Sequence, residues 1–200
     1  MRFNPDSSFF KVTTTISQFV VLNVLYLIIC LPIITIGAAT TALFDVTMNY
    51  ADFESGYLIK DFFKSFYLNW KKSTLIFFSF GLPIVALVFS SAFWLSFQSV
   101  VSILIFIVAS IGIVYLLISF ILSCAQLARF ENTTKQVIKN ALLLTMAHPL
   151  RSLGLLAILI TVTFLSLSVP GFSFMLLLLG CSFTAYCMSF LINKTLAEHY

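Results

Sequence analysis

Charge is what this chain has least of: Asp, Glu, Lys and Arg make up 9% of its 200 residues, against 60% hydrophobic. Soluble domains carry about 25% charged residues, so the shortage excludes a water-soluble globule, a disordered tail protein, a secreted disulfide scaffold and a soluble enzyme on a small anchor. Tryptophan is scarce too, at two residues against 23 Phe. An interfacial belt favours Trp and Tyr, so the aromatic bulk is expected against lipid and between helices. The cysteines Cys30, Cys124, Cys181 and Cys187 lie in apolar runs without CxxC spacing, and His148 and His199 fall in no ligand pattern with them. No metal or cofactor is expected. The net charge of +4 suits basic loops at one membrane face rather than nucleic-acid binding.

What is present is a series of long apolar runs, with a mean hydropathy of +1.08. A spanning helix needs about 20 apolar residues, because backbone groups in hydrocarbon must be satisfied within the segment. Five stretches qualify: 16–44, 73–97, 100–127, 151–169 and 171–193. The first is too long for one perpendicular crossing, and Pro32 is expected to kink it; the alternative is a re-entrant element. The second and third are joined by a few residues around Gln98 and Ser99, the fourth and fifth by Pro170-Gly171, so each pair forms a hairpin. A cleavable signal peptide is disfavoured, since the apolar run 19–36 exceeds an h-region of about 7 to 15 residues. Five spans put Lys60, Lys64, Lys71, Lys72, Arg129, Lys135, Lys139, Arg151 and Lys194 on one side and Arg2 and Lys11 on the other. Positive-inside then gives a cytoplasmic C terminus. A re-entrant 16–44 would bring the N terminus to the cytoplasmic side as well.

An amphipathic segment precedes each hairpin. In the first, Leu58, Ile59, Phe62, Phe63, Phe66, Tyr67 and Trp70 recur at helical spacing, with Lys60, Asp61, Lys64, Ser65 and Asn69 opposite. Such a helix is expected in the interface, with its lysines towards anionic lipid. The second begins Lys135-Gln136-Val137-Ile138-Lys139, and Lys60, Phe62, Phe63 and Lys64 superimpose on Lys135, Val137, Ile138 and Lys139. The expected organisation is one membrane domain: a tail over 1–15, a Pro-kinked span over 16–44, repeat units over 56–127 and 134–193, and a tail over 194–200. The fold class is all-α and polytopic.

Neither 73–127 nor 152–193 contains Asp, Glu, Lys, Arg or His. Intramembrane ionisable groups mark proton relays, ion paths and voltage sensors, so those activities lack their parts, and no acid, base or paired nucleophile stands at a usable spacing. Asp45, just past the first run, is expected to end that helix. Hydroxyls in the later spans are expected to bond backbone or neighbouring helices. Gly37, Ala38, Thr41 and Ala42 form a small-residue face that permits close helix approach.

The block Leu31-Pro32-Ile33-Ile34-Thr35-Ile36-Gly37-Ala38-Ala39-Thr40-Thr41-Ala42-Leu43 closely resembles the YesL-like family of uncharacterised bacterial membrane proteins. So do Gly56-Tyr57, Asp61-Phe62-Phe63-Lys64-Ser65-Phe66, Asn69-Trp70-Lys71, Lys139-Asn140-Ala141-Leu142, His148-Pro149 and the opening Phe3-Asn4-Pro5-Asp6-Ser7. The resemblance implies a Gram-positive cytoplasmic-membrane protein often encoded near carbohydrate-uptake transporters, with no catalytic residues to carry over. The expected function is a non-enzymatic accessory to carbohydrate uptake or its regulation. Its expected partners are the lipid bilayer, sugar-importer permease or ATPase subunits, and a second copy of the chain. Leu31, Pro32, Thr35, Gly37, Ala38, Thr40 and Thr41 are the candidate packing or hinge residues. Lys60, Asp61, Phe62, Lys64, Phe66, Asn69 and Trp70 form a candidate docking helix, with plain membrane anchoring as the other reading. The alternative function is a small oligomeric permease or channel for an uncharged polar solute.

Overall fold

The computed structural model describes residues 8–53, 57–97, 99–169 and 171–197. Arg2, the Phe3–Ser7 block, Gly56, Gln98, Pro170 and His199 lie outside them. Among the described residues the chain is all-α: α1 (Ser8–Cys30), a 3-10 turn (Ile33–Thr35), α2 (Ile36–Phe53), α3 (Leu58–Leu95), α4 (Val100–Arg129), α5 (Thr134–Ala147), α6 (Pro149–Ser168), α7 (Phe172–Met175), a π turn (Leu176–Gly180) and α8 (Cys181–Ala197). Among these residues five helices are long and apolar enough to cross a membrane: Thr13–Cys30, Leu58–Leu95, Val100–Arg129, Pro149–Ser168 and Leu176–Ala197.

The single kinked span expected over 16–44 is instead two antiparallel helices. Proline disfavours helical geometry in the residue before it and has no N–H to donate, and α1 stops at Cys30, two residues before Pro32. Thr35 rebuilds the bonding at the break: its N–H donates to the Pro32 carbonyl (2.9 Å), and its hydroxyl donates to the carbonyls of Pro32 (2.6 Å) and Ile29. The chain then folds back. Thr15 Oγ1 lies 3.1 Å from Tyr50 Oη, and Tyr26 Oη lies 3.3 Å from Thr40 Oγ1. The start of α1 therefore sits at the same end of the bundle as the end of α2, rather than opposite it.

The returning helix is the hub. From Gly37 to Met48 every residue of α2 except Asp45 is buried, because α1, α3, α4 and α8 all pack on it. A small-residue face makes this possible. A Cβ on Gly37 would lie 2.5 Å from the Ser73 carbonyl oxygen and 2.7 Å from Phe77 Cβ, so α3 approaches at a distance only glycine allows. One turn on, Ser73 Oγ donates to Thr41 Oγ1 (2.9 Å), which donates to the Gly37 carbonyl (3.0 Å).

The first amphipathic segment is not a separate interfacial helix, since 58–70 continues through Lys71, Lys72 and Ser73 into the span as one 38-residue α3, about 57 Å long. No proline or glycine interrupts the junction, and Pro83, deeper in the span, stays within the helix. Its apolar face is divided: Phe62 is fully buried in the main core and Phe63 and Phe66 pack against that core, while Ile59, Tyr67 and Trp70 are exposed.

The second amphipathic segment is the separate α5. Thr133 caps it, its N–H (3.2 Å) and hydroxyl (2.8 Å) both donating to Gln136 Oε1. His148 has non-helical φ/ψ and Pro149 opens α6, so the helix breaks there. Val137 packs with Ile76, Phe80 and Leu127, tying α5 to α3 and α4. After α6, Gly171 turns the chain at φ +89°, a conformation that glycine adopts freely.

Candidate functional site

Three helix segments with polar sequence meet beside the hub. Asp45 and Asn49 come from α2; Asp61, Lys64, Ser65, Leu68, Asn69 and Lys72 lie along one face of α3; Leu127 to Glu131 close the far wall. Together they line an open cleft of about 690 Å³, within the usual range for binding clefts. The α3 residues share a face because they recur at helical spacing.

Charge is distributed unevenly along the cleft. Asp45, Asp61 and Lys64 stand at one end, near enough that the Asp61 and Lys64 charges act on the Asp45 carboxyl. Lys72 stands about 16 Å along α3 from Asp61, eleven residues at 1.5 Å each, where Nζ donates to the Asn132 carbonyl (3.4 Å). None of Asp45, Asp61, Lys64, Lys72 and Glu131 has an ion-pair partner among the described residues. Burial raises the Asp45 carboxyl above its ordinary range; Ser65, the Asn49 amide (3.0 Å) and Lys64 pull the other way, and Asp61 adds to the rise. Burial is thus the first cause of the rise, and the Asp61 charge adds to it.

Arg129 does have partners. It pairs with Asp52 and donates to Asn193 Oδ1 (2.6 Å), while Asn193 Nδ2 donates to Asp52 Oδ1 (2.7 Å). This triangle ties together the polar ends of α2, α4 and α8. Ser189 Oγ reinforces it one turn away by donating to Thr47 Oγ1 (2.9 Å).

The candidate docking residues divide. Asp61, Lys64 and Asn69 face the cleft, Phe62 is core, Phe66 is half-buried and Trp70 is 45% exposed. Lys60 turns instead towards a smaller groove with Gln18, Tyr57, Leu58 and Ile59. Of the candidate packing residues, Leu31 and Pro32 are exposed at the break, Thr35 repairs it, and Gly37, Ala38, Thr40 and Thr41 are buried against neighbouring helices. Asp45 does not merely end a helix, since α2 runs eight residues further to Phe53. Nothing local in the sequence joins Asp45, Arg129 and Glu131 to the α3 face, because they lie far from it along the chain. The only hint was the polar end shared by three apolar runs.

Hydroxyls elsewhere in the spans are taken up by backbone. Ser110 donates to the Phe106 carbonyl, Thr161 to Ala157 and Thr163 to Leu159, each at 2.8 Å. Among the described residues no group of three His, Cys, Asp or Glu side chains could hold a metal ion.

Fold and site together define an all-α polytopic membrane protein with a charged cleft at one end of its helices. Residues 19–91 match the family described as Protein of unknown function, DUF624, a stretch that takes in most of α1, all of α2 and α3 as far as Ser91. The match is consistent with the YesL-like resemblance. No curated protein and no solved structure matches the chain.

Proposed function

We propose that this protein is a non-enzymatic accessory component of the bacterial cytoplasmic membrane that docks a partner at the cleft between α2, α3 and α4. The observation that carries the reading is the cleft's charge without ion-pair partners among the described residues, Asp45, Asp61 and Lys64 towards one end and Lys72 and Glu131 towards the other. A docking segment with complementary charges would pair these groups. Complementary charge of this kind fixes register and partner choice more than raw affinity. The rigid continuity of α3 supports the same reading, since a load on its polar half is passed directly into the membrane span.

The partner we propose is a permease or ATPase subunit of a carbohydrate importer, an assignment that rests on the YesL-like resemblance. The cleft faces the cytoplasm in this reading, because Lys64, Lys71, Lys72, Arg129, Lys135, Lys139 and Lys194 gather at polar helix ends, and positive-inside sets their side. The test is co-purification from native membranes in mild detergent with Asp61→Lys and Lys64→Glu. Both variants should insert normally and recover at least fivefold less importer subunit. Unchanged recovery would remove the docking cleft, and recovery of the protein only as a homo-oligomer would favour the small-permease reading.

A further inference from the structure

The last span is interrupted at Leu176–Gly180 by a π turn, and a side chain from another helix occupies the opening. Asn23 of α1 is fully buried. Its Nδ2 donates to the Leu177 carbonyl (2.8 Å), and its Oδ1 accepts from the Ser182 N–H (3.0 Å). Leu177 and Ser182 are five apart, the very pair a π turn would bond directly, so the amide stands between them as a bridge. Ser182 Oγ then donates to the Phe19 carbonyl (3.0 Å), one turn back along α1. Both amide atoms and both backbone groups are satisfied, as hydrocarbon requires.

A π turn holds one residue more than the α-helix it interrupts. Withdrawing the amide would take a partner from Leu177 O and from Ser182 N, and the segment's own remedy is to close into regular α-helix. Closure turns everything on one side of Leu176–Gly180 by about 100° relative to the other side and lengthens the helix by about 1.5 Å. The Ser189–Thr47 and Asn193–Asp52–Arg129 contacts lie on the α8 side of the turn. We infer that Asn23 is a latch that holds the last span in the π register, making the α1–α8 contact a two-position device connected to the polar end beside the cleft. This goes beyond the docking proposal and does not rest on it.

The experiment places spin labels at Phe174→Cys and Phe190→Cys, both on exposed positions (75% and 52%), in a chain whose four native cysteines are replaced. With Asn23 intact, the interlabel distance reports the π register. Asn23→Leu should move the distance distribution by several ångström as the turn closes. Deleting Leu178 in the Asn23→Leu chain removes the extra residue and should return the distribution to its original position in a well-folded protein. The original distance persisting in Asn23→Leu would overturn the latch. If Asn23→Leu alone does not fold, the deletion variant decides: it should fold with the original distance, and its failure to do so would equally overturn the proposal.

Discussion

The region around α2, α3 and α4 and the region formed by α5 to α8 use the same parts and assemble them differently. Each has an amphipathic segment followed by an apolar hairpin. In the first the segment runs unbroken into the span, and α3 meets α2 backbone to backbone at Gly37. In the second the segment breaks at His148-Pro149, and the corresponding close approach, Gly154 on α6, meets only the Cδ2 end of Leu191. Contact against backbone leaves nothing that can rotate away, whereas a leucine tip can change rotamer. At these two contacts the first region is therefore the rigid one and the second the adjustable one, and the π turn lies in the second.

The two glycines give the largest contrast. Gly37→Ala should cost about 2–3 kcal/mol or more, because neither Ser73 O nor Phe77 Cβ can move without shifting α3. Gly154→Ala should cost less than about 1 kcal/mol, since Leu191 need only turn its side chain. Thermal unfolding of the purified variants in one detergent measures both, and equal losses would erase the distinction between the regions.

A gain is expected in the rigid region as well. Gln126 of α4 is fully buried with neither amide atom hydrogen-bonded to any described residue, and a buried unsatisfied polar group costs about 1–3 kcal/mol. Gln126→Met keeps the volume and removes the polar atoms. It should raise the unfolding midpoint, and a lower midpoint would mean that the amide has a partner such as a buried water.

The serines at the head of each hairpin sharpen the comparison at a finer level. Ser73 bonds across to α2, whereas Ser152 Oγ donates to the Thr145 carbonyl of adjoining α5 (3.0 Å). Replacing either by alanine should cost about 1 kcal/mol or less. Only Ser73→Ala should lose coupling in a double-mutant cycle with Thr41→Ala.

The smallest effect concerns Asp45. Its carboxyl is raised in the folded protein, so ionisation is penalised on folding, and stability is recovered as pH falls through the folded value. Asp45→Asn should therefore unfold at a slightly higher temperature than the parent at pH 8. The difference should shrink towards the acid range, and a difference that grew on acidification would contradict the direction of the shift.

Much of this architecture is legible in the residues. The apolar runs gave the spans and hairpins, and the Gly37 to Ala42 small-residue face marked where a helix comes close. The hairpin turn at Leu31–Thr35 was not legible, because a proline in an apolar run has the same local pattern whether the helix kinks or reverses. Tertiary contacts such as Tyr26–Thr40 decide it. The continuity of α3 was hidden by the change from polar to apolar at Lys72-Ser73, which alters the helix's surroundings without altering its backbone. The π turn lies in Leu-Leu-Leu-Leu-Gly, where no residue signals it; the signal is Asn23, 154 residues away from its acceptor. The cleft was half legible, since its α3 wall follows from helical spacing while Asp45 and Glu131 arrive only by folding.

The docking account is tested most directly by site-specific photo-crosslinking in native membranes. A photoreactive residue replaces Leu68, which lines the cleft, and in a second chain replaces Phe89 deep in the α3 span; these positions are 71% and 76% exposed. The account predicts that position 68 captures a permease or ATPase subunit of a carbohydrate importer while position 89 captures lipid. Capture of lipid alone, or of a second copy of this chain, at position 68 would contradict it.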